Sequence, residues 1–119
     1  MGLTKGVTLT VPGSHSLLRI YFNEDDACEG RSLAEALMDE VKKEGFHGAT
    51  ILRGVMGFGS HGKVHSATLV RLTESLPLVL EIIDEAGRMR DLAERLEPCL
   101  KGCLVTLMPV EVLHYGGNL

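Results

Sequence analysis

Alternation of apolar and polar residues along the chain predicts four core strands. These strands cover residues 17–22, 49–56, 76–84 and 104–108. In the first strand Leu18, Ile20 and Phe22 share one face, and the residues between them share the other. The third strand is apolar at nearly every position, which is typical of an internal strand buried on both faces. A further short strand is expected at 110–115.

Two other stretches carry apolar residues at helical spacing, opposite their charged residues. The first follows a capping box, in which the Ser32 hydroxyl is placed to accept a hydrogen bond from the Glu35 backbone N–H. Gly45 is placed to end this helix as the glycine just beyond its last residue. The second helix is expected to have Asp84 as its N-cap and to end at Pro98.

The elements follow the order β-α-β-β-α-β, with a long insert between the second and third strands. This order predicts an α+β, ferredoxin-like fold (βαββαβ), in which an antiparallel sheet carries two helices on one face. Residues 1–16 are expected to form a flexible N-terminal arm and residues 17–119 a single domain, because 119 residues suffice for one core. Nothing in the chain covers the opposite sheet face, so we expect a homo-oligomer.

The long insert begins with a stretch that contains Gly54, Gly57, Gly59 and Gly62. Glycine accepts positive φ and lets a backbone approach a ligand closely, and loops on a rigid scaffold often carry binding functions. We expect residues 57–64 to be the most mobile ordered part of the domain. The candidate ligand-binding residues in this stretch are Gly57, Gly59, Ser60, His61, Gly62, Lys63 and His65.

The same stretch matches two nucleotide-binding patterns. Residues 57–62 match G-x-G-x-x-G and residues 57–63 match G-x-x-x-x-G-K, although Val64 stands where a phosphate loop has Ser or Thr. Both motifs need a helix directly after the glycines, because its N-terminus holds the phosphate. Residues 64–72 are instead rich in β-branched residues, which favours a strand. The open alternatives are a ligand loop of another architecture, which we favour, and a glycine-rich hairpin without a ligand.

Charge and hydropathy limit the classes of molecule that the protein is expected to bind and the compartment in which it is expected to lie. The net charge is −4, so we expect no nucleic-acid partner, because that binding depends on a basic face. Apolar runs stay shorter than a membrane span and the first residues lack a signal-peptide pattern, which predicts a cytoplasmic protein without a membrane span. Cys28, Cys99 and Cys103 are expected to be thiols without a metal or redox role in a reducing compartment.

The glycine-rich stretch and the strands around it resemble the PII-like proteins, most closely the group described as domain of unknown function 190. The residues that carry the resemblance are Gly54, Gly57, Phe58, Gly59, Gly62, 65–67, 76–84, 104–107 and 110–112. The resemblance covers about residues 17–115. It implies a ferredoxin-like homotrimer that binds effector ligands, often adenine nucleotides, in clefts between subunits. The loop at residues 57–68 would close over the ligand or contact a partner protein.

The resemblance also draws attention to residues 98–103, which correspond in position to a turn that helps to hold phosphates in classical PII proteins. Lys101 and Gly102 are the candidate ligand-binding residues there. The resulting hypothesis is a PII-like regulatory module for signal transduction, which senses a small anionic ligand through the loop, with an adenine nucleotide as the candidate.

Two other classes of function stay open beside this hypothesis. A divalent-metal-binding trimer of the copper-tolerance type would use His61 and His65, although two histidines without a nearby cysteine or carboxylate form a poor site, so we predict no metal ligands. An enzyme is not expected, because the sequence shows no nucleophile–base pair and no carboxylate dyad in a defined setting. His65 and Ser66 are merely adjacent in sequence, which is not evidence of a catalytic triad.

Overall fold

The computed structural model describes residues 15–58, 65–66 and 75–115. The strands are β1 (His15–Asn23), β2 (Ala27–Cys28), β3 (Arg31–Ser32), β4 (Thr50–Arg53), β5 (Met56–Gly57), β6 (His65–Ser66), β7 (Pro77–Glu85) and β8 (Leu104–Val110). The helices are α1 (Leu33–Lys43), α2 (Ala86–Leu96) and a 3-10 helix (Glu97–Cys99). The predicted arm lies outside the described residues except for His15 and Ser16, which begin β1.

The two inner strands of the main sheet are β1 and β7. The strand order is β4-β7-β1-β8, and every neighbouring pair of strands is antiparallel. The helix α1 connects β1 to β4, and α2 connects β7 to β8. This is the βαββαβ arrangement, so the predicted α+β, ferredoxin-like class is confirmed.

The core lies between one face of this sheet and the helices α1 and α2. Every second residue is buried throughout β1, and also in β7 from Pro77 to Ile82. The buried residues of β1 include the predicted row of Leu18, Ile20 and Phe22. The largest fully buried side chains come from both strands and both helices: Ile20, Leu33, Leu37, Leu80, Ile82, Met89 and Leu92. Burial of each such side chain stabilises the fold by roughly 1.5–3 kcal/mol. Both helices therefore pack on the same face of the sheet.

The ends of α1 follow the local sequence signals. Ser32 Oγ accepts a hydrogen bond from the Glu35 backbone N–H at 3.1 Å, which satisfies one of the free amides of the first turn. Gly45 has a φ of +82°, and its N–H donates to the Lys42 carbonyl at 3.1 Å. A residue with a side chain would be strained in this backbone conformation, so glycine is favoured just beyond the helix. The predicted capping residue and glycine stop are confirmed.

The start of α2 differs from the prediction by one residue. Asp84 is not the N-cap, because β7 continues through Glu85, which pairs with His15 of β1 and takes the cap position without a capping side-chain bond. The Asp84 carboxylate instead accepts a hydrogen bond from the Glu85 backbone N–H at 2.7 Å and pairs with Arg88 at 3.1 Å. Strand pairing with β1 has thus overridden the local capping preference.

The strand predicted at 110–115 is wrong. The last strand, β8, runs two residues beyond the predicted 104–108 and includes Pro109, and residues 111–115 have no strand structure. Proline is tolerated there because β8 is an edge strand of the main sheet, where one side needs no N–H donor. After the strand the chain returns toward α1, where the Tyr115 hydroxyl lies 2.6 Å from His47 Nδ1.

The open face of the sheet, which is the face away from the helices, carries a polar row between two apolar rows. The first apolar row consists of Leu52, Val79, Tyr21 and Leu104, and the second of Ile83, Leu17 and Met108. In the polar row Arg19 Nε donates to Glu81 Oε2 at 2.8 Å, and this bond raises the pKa of Arg19. The prediction that the third strand is buried on both faces is wrong for the single chain, because Ile83 is 52% exposed on the open face.

The cysteines also differ from the prediction. Cys28 and Cys99 form a disulfide, with their Cα atoms 5.4 Å apart, and Cys103 is a free thiol. Burial, and the negative charge of Asp26, raise the pKa of the Cys103 thiol, which keeps it protonated. The expectation of three thiols is therefore wrong for Cys28 and Cys99, whose disulfide ties the short β2–β3 hairpin to the 3-10 helix.

We predict that Cys28→Ser lowers the free energy of unfolding by about 2–5 kcal/mol, because the disulfide closes a loop between residues 71 positions apart. Urea unfolding in non-reducing buffer measures the change, and Cys103→Ser is the matched control, expected to have a much smaller effect. Equal stability of the Cys28→Ser variant and the wild type, or alkylation of three cysteines in the oxidised native protein, would contradict the prediction.

Candidate functional site

Two of the predicted site segments lie at the same end of the main sheet. The strand β1 ends there, whereas β7 and β8 begin there, since Asn23 is paired with Pro77 and Tyr21 with Leu104. The strand β4 is antiparallel to β7 and also ends there. The glycine-rich loop leaves from β4 and returns in β7, and the turn at 101–102 comes shortly before β8.

The loop base, which we define as residues 54–58 and 75–77, is built against Pro77. The Gly54 N–H donates to the Pro77 carbonyl at 2.7 Å. A Cβ atom on Gly54 would lie 2.9 Å from Pro77 Cγ, and one on Gly57 would lie 3.3 Å from the same atom. Two of the glycines thus permit close packing at the loop base. The predicted strand 49–56 is interrupted after Arg53 and divides into β4 and β5.

The first and last described parts of the loop form a short hairpin. Gly57 of β5 is paired with His65 of β6, and Met56 is paired with Ser66. Residues 65–66 are extended, where a dinucleotide fingerprint or a phosphate loop would need a helix. This extended backbone agrees with the expectation that neither of the two motifs forms a nucleotide-binding site here. The structure thus brings Gly57 and His65 together, whereas Gly59, Ser60, His61, Gly62 and Lys63 lie outside the described residues.

The basic turn, which consists of Lys101 and Gly102, is exposed to solvent. It follows the 3-10 helix and is closed by a hydrogen bond from the Cys103 N–H to the Leu100 carbonyl at 2.9 Å. The disulfide at Cys99 lies two residues before it and fixes its approach. Since β7 and β8 flank β1, these two strands are about 10 Å apart, and the loop base and the basic turn lie at the same end of the sheet.

Glu24 joins the loop base to β1, a role that no local pattern of residues indicates. Its carboxylate accepts a hydrogen bond from the Leu76 N–H at 3.0 Å and pairs with Arg53 at 2.6 Å. Its own N–H donates to the Leu76 carbonyl at 3.0 Å. Although an acidic run such as 23–26 is typical of a solvated turn, Glu24 is held by contacts to Leu76 and Arg53.

Apolar side chains at the loop base face solvent. Val55 is 73% exposed, Met56 59% and Phe58 72%. Exposed apolar side chains that cluster in this way are typical of a surface that another molecule covers.

A small cavity of about 90 Å³ lies elsewhere, on the helix side, and is lined by Glu44, Phe46, Arg88, Asp91 and Arg95. Its arginines already have partners, since Arg88 lies 4.2 Å from the Phe46 ring centre and Arg95 pairs with Glu44 at 3.0 Å. We therefore assign this cavity to helix packing. In the described parts of the chain no cluster of three or more His, Cys, Asp or Glu residues is placed to bind a metal, and no helix is long and apolar enough to cross a membrane.

The sheet order and the two helices on one face define a ferredoxin-like fold, in which a long loop follows the second core strand. The structure is similar to CPII, a nitrogen regulatory PII-like protein from Thiomonas intermedia K12 whose structure is bound to ADP, AMP and bicarbonate. The TM-score is 0.65 at 19% identity, with 84% of this chain and 89% of that chain covered. A DUF3240 family protein from Shewanella baltica OS155 has a TM-score of 0.58 at 16% identity, over 87% and 94% of the two chains.

The chain belongs to the DUF190 family, whose description reads "Uncharacterized ACR" and whose model matches residues 15–112. A UPF0166 protein from Aquifex aeolicus is 37% identical over 98 residues, which are 82% of this chain and 92% of that protein. A UPF0166 protein from Methanocaldococcus jannaschii is 37% identical over 68 residues, which are 57% and 62% of the two chains. The resemblance inferred from the sequence is confirmed at the level of the family.

We predict that Gly54→Ala displaces the loop base and destabilises the fold by roughly 1–3 kcal/mol, because the new methyl group would overlap Pro77. Urea unfolding and the amide spectrum of residues 50–58 and 76–80 report the two effects. Gly48→Ala is the control, since a Cβ atom there meets nothing within 4 Å. If Gly54→Ala changes neither stability nor the spectrum more than Gly48→Ala does, the close packing against Pro77 does not constrain this position.

Proposed function

We propose that this protein is a regulatory binding module, a homotrimer that senses a small phosphate-bearing anion through the glycine-rich loop and the basic turn. The observation that carries the proposal is the position of the loop base and the basic turn at one end of the sheet. The proposal takes an adenine nucleotide as the first ligand to test, because the PII-like fold relative CPII is bound to ADP and AMP.

The open face of the sheet supports the oligomeric part of the proposal. Its two apolar rows leave Ile83, Leu104 and Met108 about half exposed in the single chain. A second and a third copy of the chain would cover these rows, and the central pair of Arg19 and Glu81 would fix the register of the copies. In such an assembly the loop of one subunit would lie near the sheet edge of another subunit. We place the ligand between these two parts.

The charges at the sheet end support an anionic ligand. The protein is acidic overall, and the arginines at 19, 31, 53, 88 and 95 each pair with a described carboxylate. Lys101 is exposed and has no such pair among the described residues, so its ammonium group is available to a ligand. A local positive site on a negative molecule selects a small anion over a nucleic-acid polymer. Lys63 and the glycine amides of the loop complete the proposed set of donors.

The exposed apolar side chains at the loop base support a second contact of the loop, with a partner protein. Val55, Met56 and Phe58 lie where the loop at 57–68 leaves the sheet. A change in the loop on ligand binding would therefore reach the surface that a partner touches. This coupling makes the protein a regulatory module, and we propose a binding role rather than an enzymatic one.

We predict a trimer in solution that Val79→Asp or Ile83→Asp dissociates, because each would place a charge in an apolar row of the proposed interface. Light scattering measures the mass. Ile82→Asp is the matched comparison, since Ile82 is 1% exposed in the core and its variant should unfold rather than dissociate. A wild type that is monomeric at the highest concentrations would contradict the proposed assembly.

We predict that one of ATP, ADP, AMP or a cyclic adenine nucleotide binds and that Lys101→Ala or Lys63→Ala weakens its affinity by about 10- to 150-fold. This loss corresponds to a charge-assisted phosphate contact of roughly 1.5–3 kcal/mol. Calorimetry measures the affinity, and Lys42→Ala, on the exposed side of α1, is the control.

The outcomes separate the parts of this proposal. Absence of binding by the wild type at millimolar nucleotide would overturn the nucleotide ligand, and a rise in melting temperature with a divalent metal alone would favour the metal-binding alternative. If a nucleotide binds with the same affinity to the wild type and to both lysine variants, the proposed class of ligand is supported and the proposed site is overturned.

A further inference from the structure

Glu24 contacts the chain on both sides of the glycine-rich loop. Its Oε2 atom lies 2.6 Å from Arg53 Nη2, at the end of β4, where the chain enters the loop. Its Oε1 atom accepts a hydrogen bond from the Leu76 N–H at 3.0 Å, where the chain leaves the loop. A second bond, from the Glu24 N–H to the Leu76 carbonyl at 3.0 Å, doubles the connection to the exit side.

The two contacts of the carboxylate differ in their surroundings. Leu76 is 6% exposed, and a buried backbone N–H must keep a hydrogen-bond partner. The Arg53 side chain is 62% exposed, so its ion pair is solvated and weaker. The hydrogen bond to Leu76 is therefore the stronger contact. The ion pair with Arg53 connects Glu24 also to the side on which the chain enters the loop.

These contacts form a cluster with a bond that joins the loop ends directly. The Gly54 N–H donates to the Pro77 carbonyl at 2.7 Å, one residue beyond each contact of Glu24. Glu24 comes directly after β1, and β1 lies between β7 and β8 in the sheet. Because β1 is one of the two inner strands of the sheet, Glu24 connects the loop ends to a strand that is paired on both edges.

We propose that Glu24 is the positioning residue of the glycine-rich loop, which holds both of its ends in the arrangement that the ligand requires. Its effect on ligand affinity, which rests on the proposed function, arises because a loop base that is ordered before binding costs less free energy to order during binding. Glu24 acts through the backbone of Leu76 and the side chain of Arg53, and it touches no ligand itself.

Two substitutions separate the two contacts of Glu24. Glu24→Gln keeps an oxygen that can accept from the Leu76 N–H but loses the charge that pairs with Arg53, whereas Glu24→Ala loses both contacts. Asp25→Asn is the control, since Asp25 is the exposed carboxylate next in sequence. The readouts are hydrogen exchange at the Leu76 and Gly54 amides, affinity for the adenine nucleotide that the wild type binds best, and melting temperature.

We expect the largest effects in Glu24→Ala and smaller ones in Glu24→Gln, whereas Asp25→Asn should equal the wild type. Exchange at the Leu76 amide should rise by about tenfold or more in Glu24→Ala and by a smaller factor in Glu24→Gln, because local opening then exposes an amide that has lost its acceptor. Nucleotide affinity should fall by about five- to tenfold in Glu24→Ala. The core amides of β1 should keep their protection, which separates a local effect from general destabilisation.

Three results would overturn the proposal. Unchanged exchange at Leu76 and Gly54 in Glu24→Ala would show that Glu24 does not hold the loop base. A uniform loss of protection throughout β1 and β7 would show a role in global stability instead. Faster exchange with unchanged nucleotide affinity would show that the ordered base does not serve binding. If the wild type binds no nucleotide, the proposed ligand fails, and the exchange order alone decides whether Glu24 positions the loop.

Discussion

The pairing of β1 on both of its edges is the constraint on which the rest of the structure depends. One face of β1 is buried under α1 and α2, with Leu18 and Ile20 fully enclosed, and both edges are paired, with β7 and with β8. This pairing brings the ends of four strands to a common end of the sheet. The loop base, the basic turn and Glu24 all lie there because the chain must enter or leave β1, β4, β7 and β8 at that end.

Local patterns in the sequence were sufficient for the elements that depend on nearby residues. The alternation at 17–22 predicted the buried row of β1, and Ser32 and Gly45 marked the two ends of α1. Prediction failed where a distant strand decided the outcome. Pairing of Glu85 with His15 extended β7 and displaced Asp84 from the cap position, and an edge position let β8 continue through Pro109.

The candidate site could be predicted in part, for the same physical reason. The glycines at 54 and 57 marked the loop base, and family resemblance drew attention to Lys101 and Gly102. The contacts of Glu24 and the disulfide between Cys28 and Cys99 carried no local signal, since each joins residues that are far apart in sequence. Only the topology of the sheet brings these partners together.

We propose above all that an anion binds between the loop base and the basic turn, which lie at the same end of the sheet. The most direct test is an amide chemical-shift titration of the wild-type protein with ADP. We expect the shifts to concentrate at Gly57, His65, Lys101 and Gly102, and to spread to Leu76 at the loop base. Shifts confined to the helix cavity around Arg88 and Arg95, or the absence of shifts at millimolar ADP, would contradict this proposal.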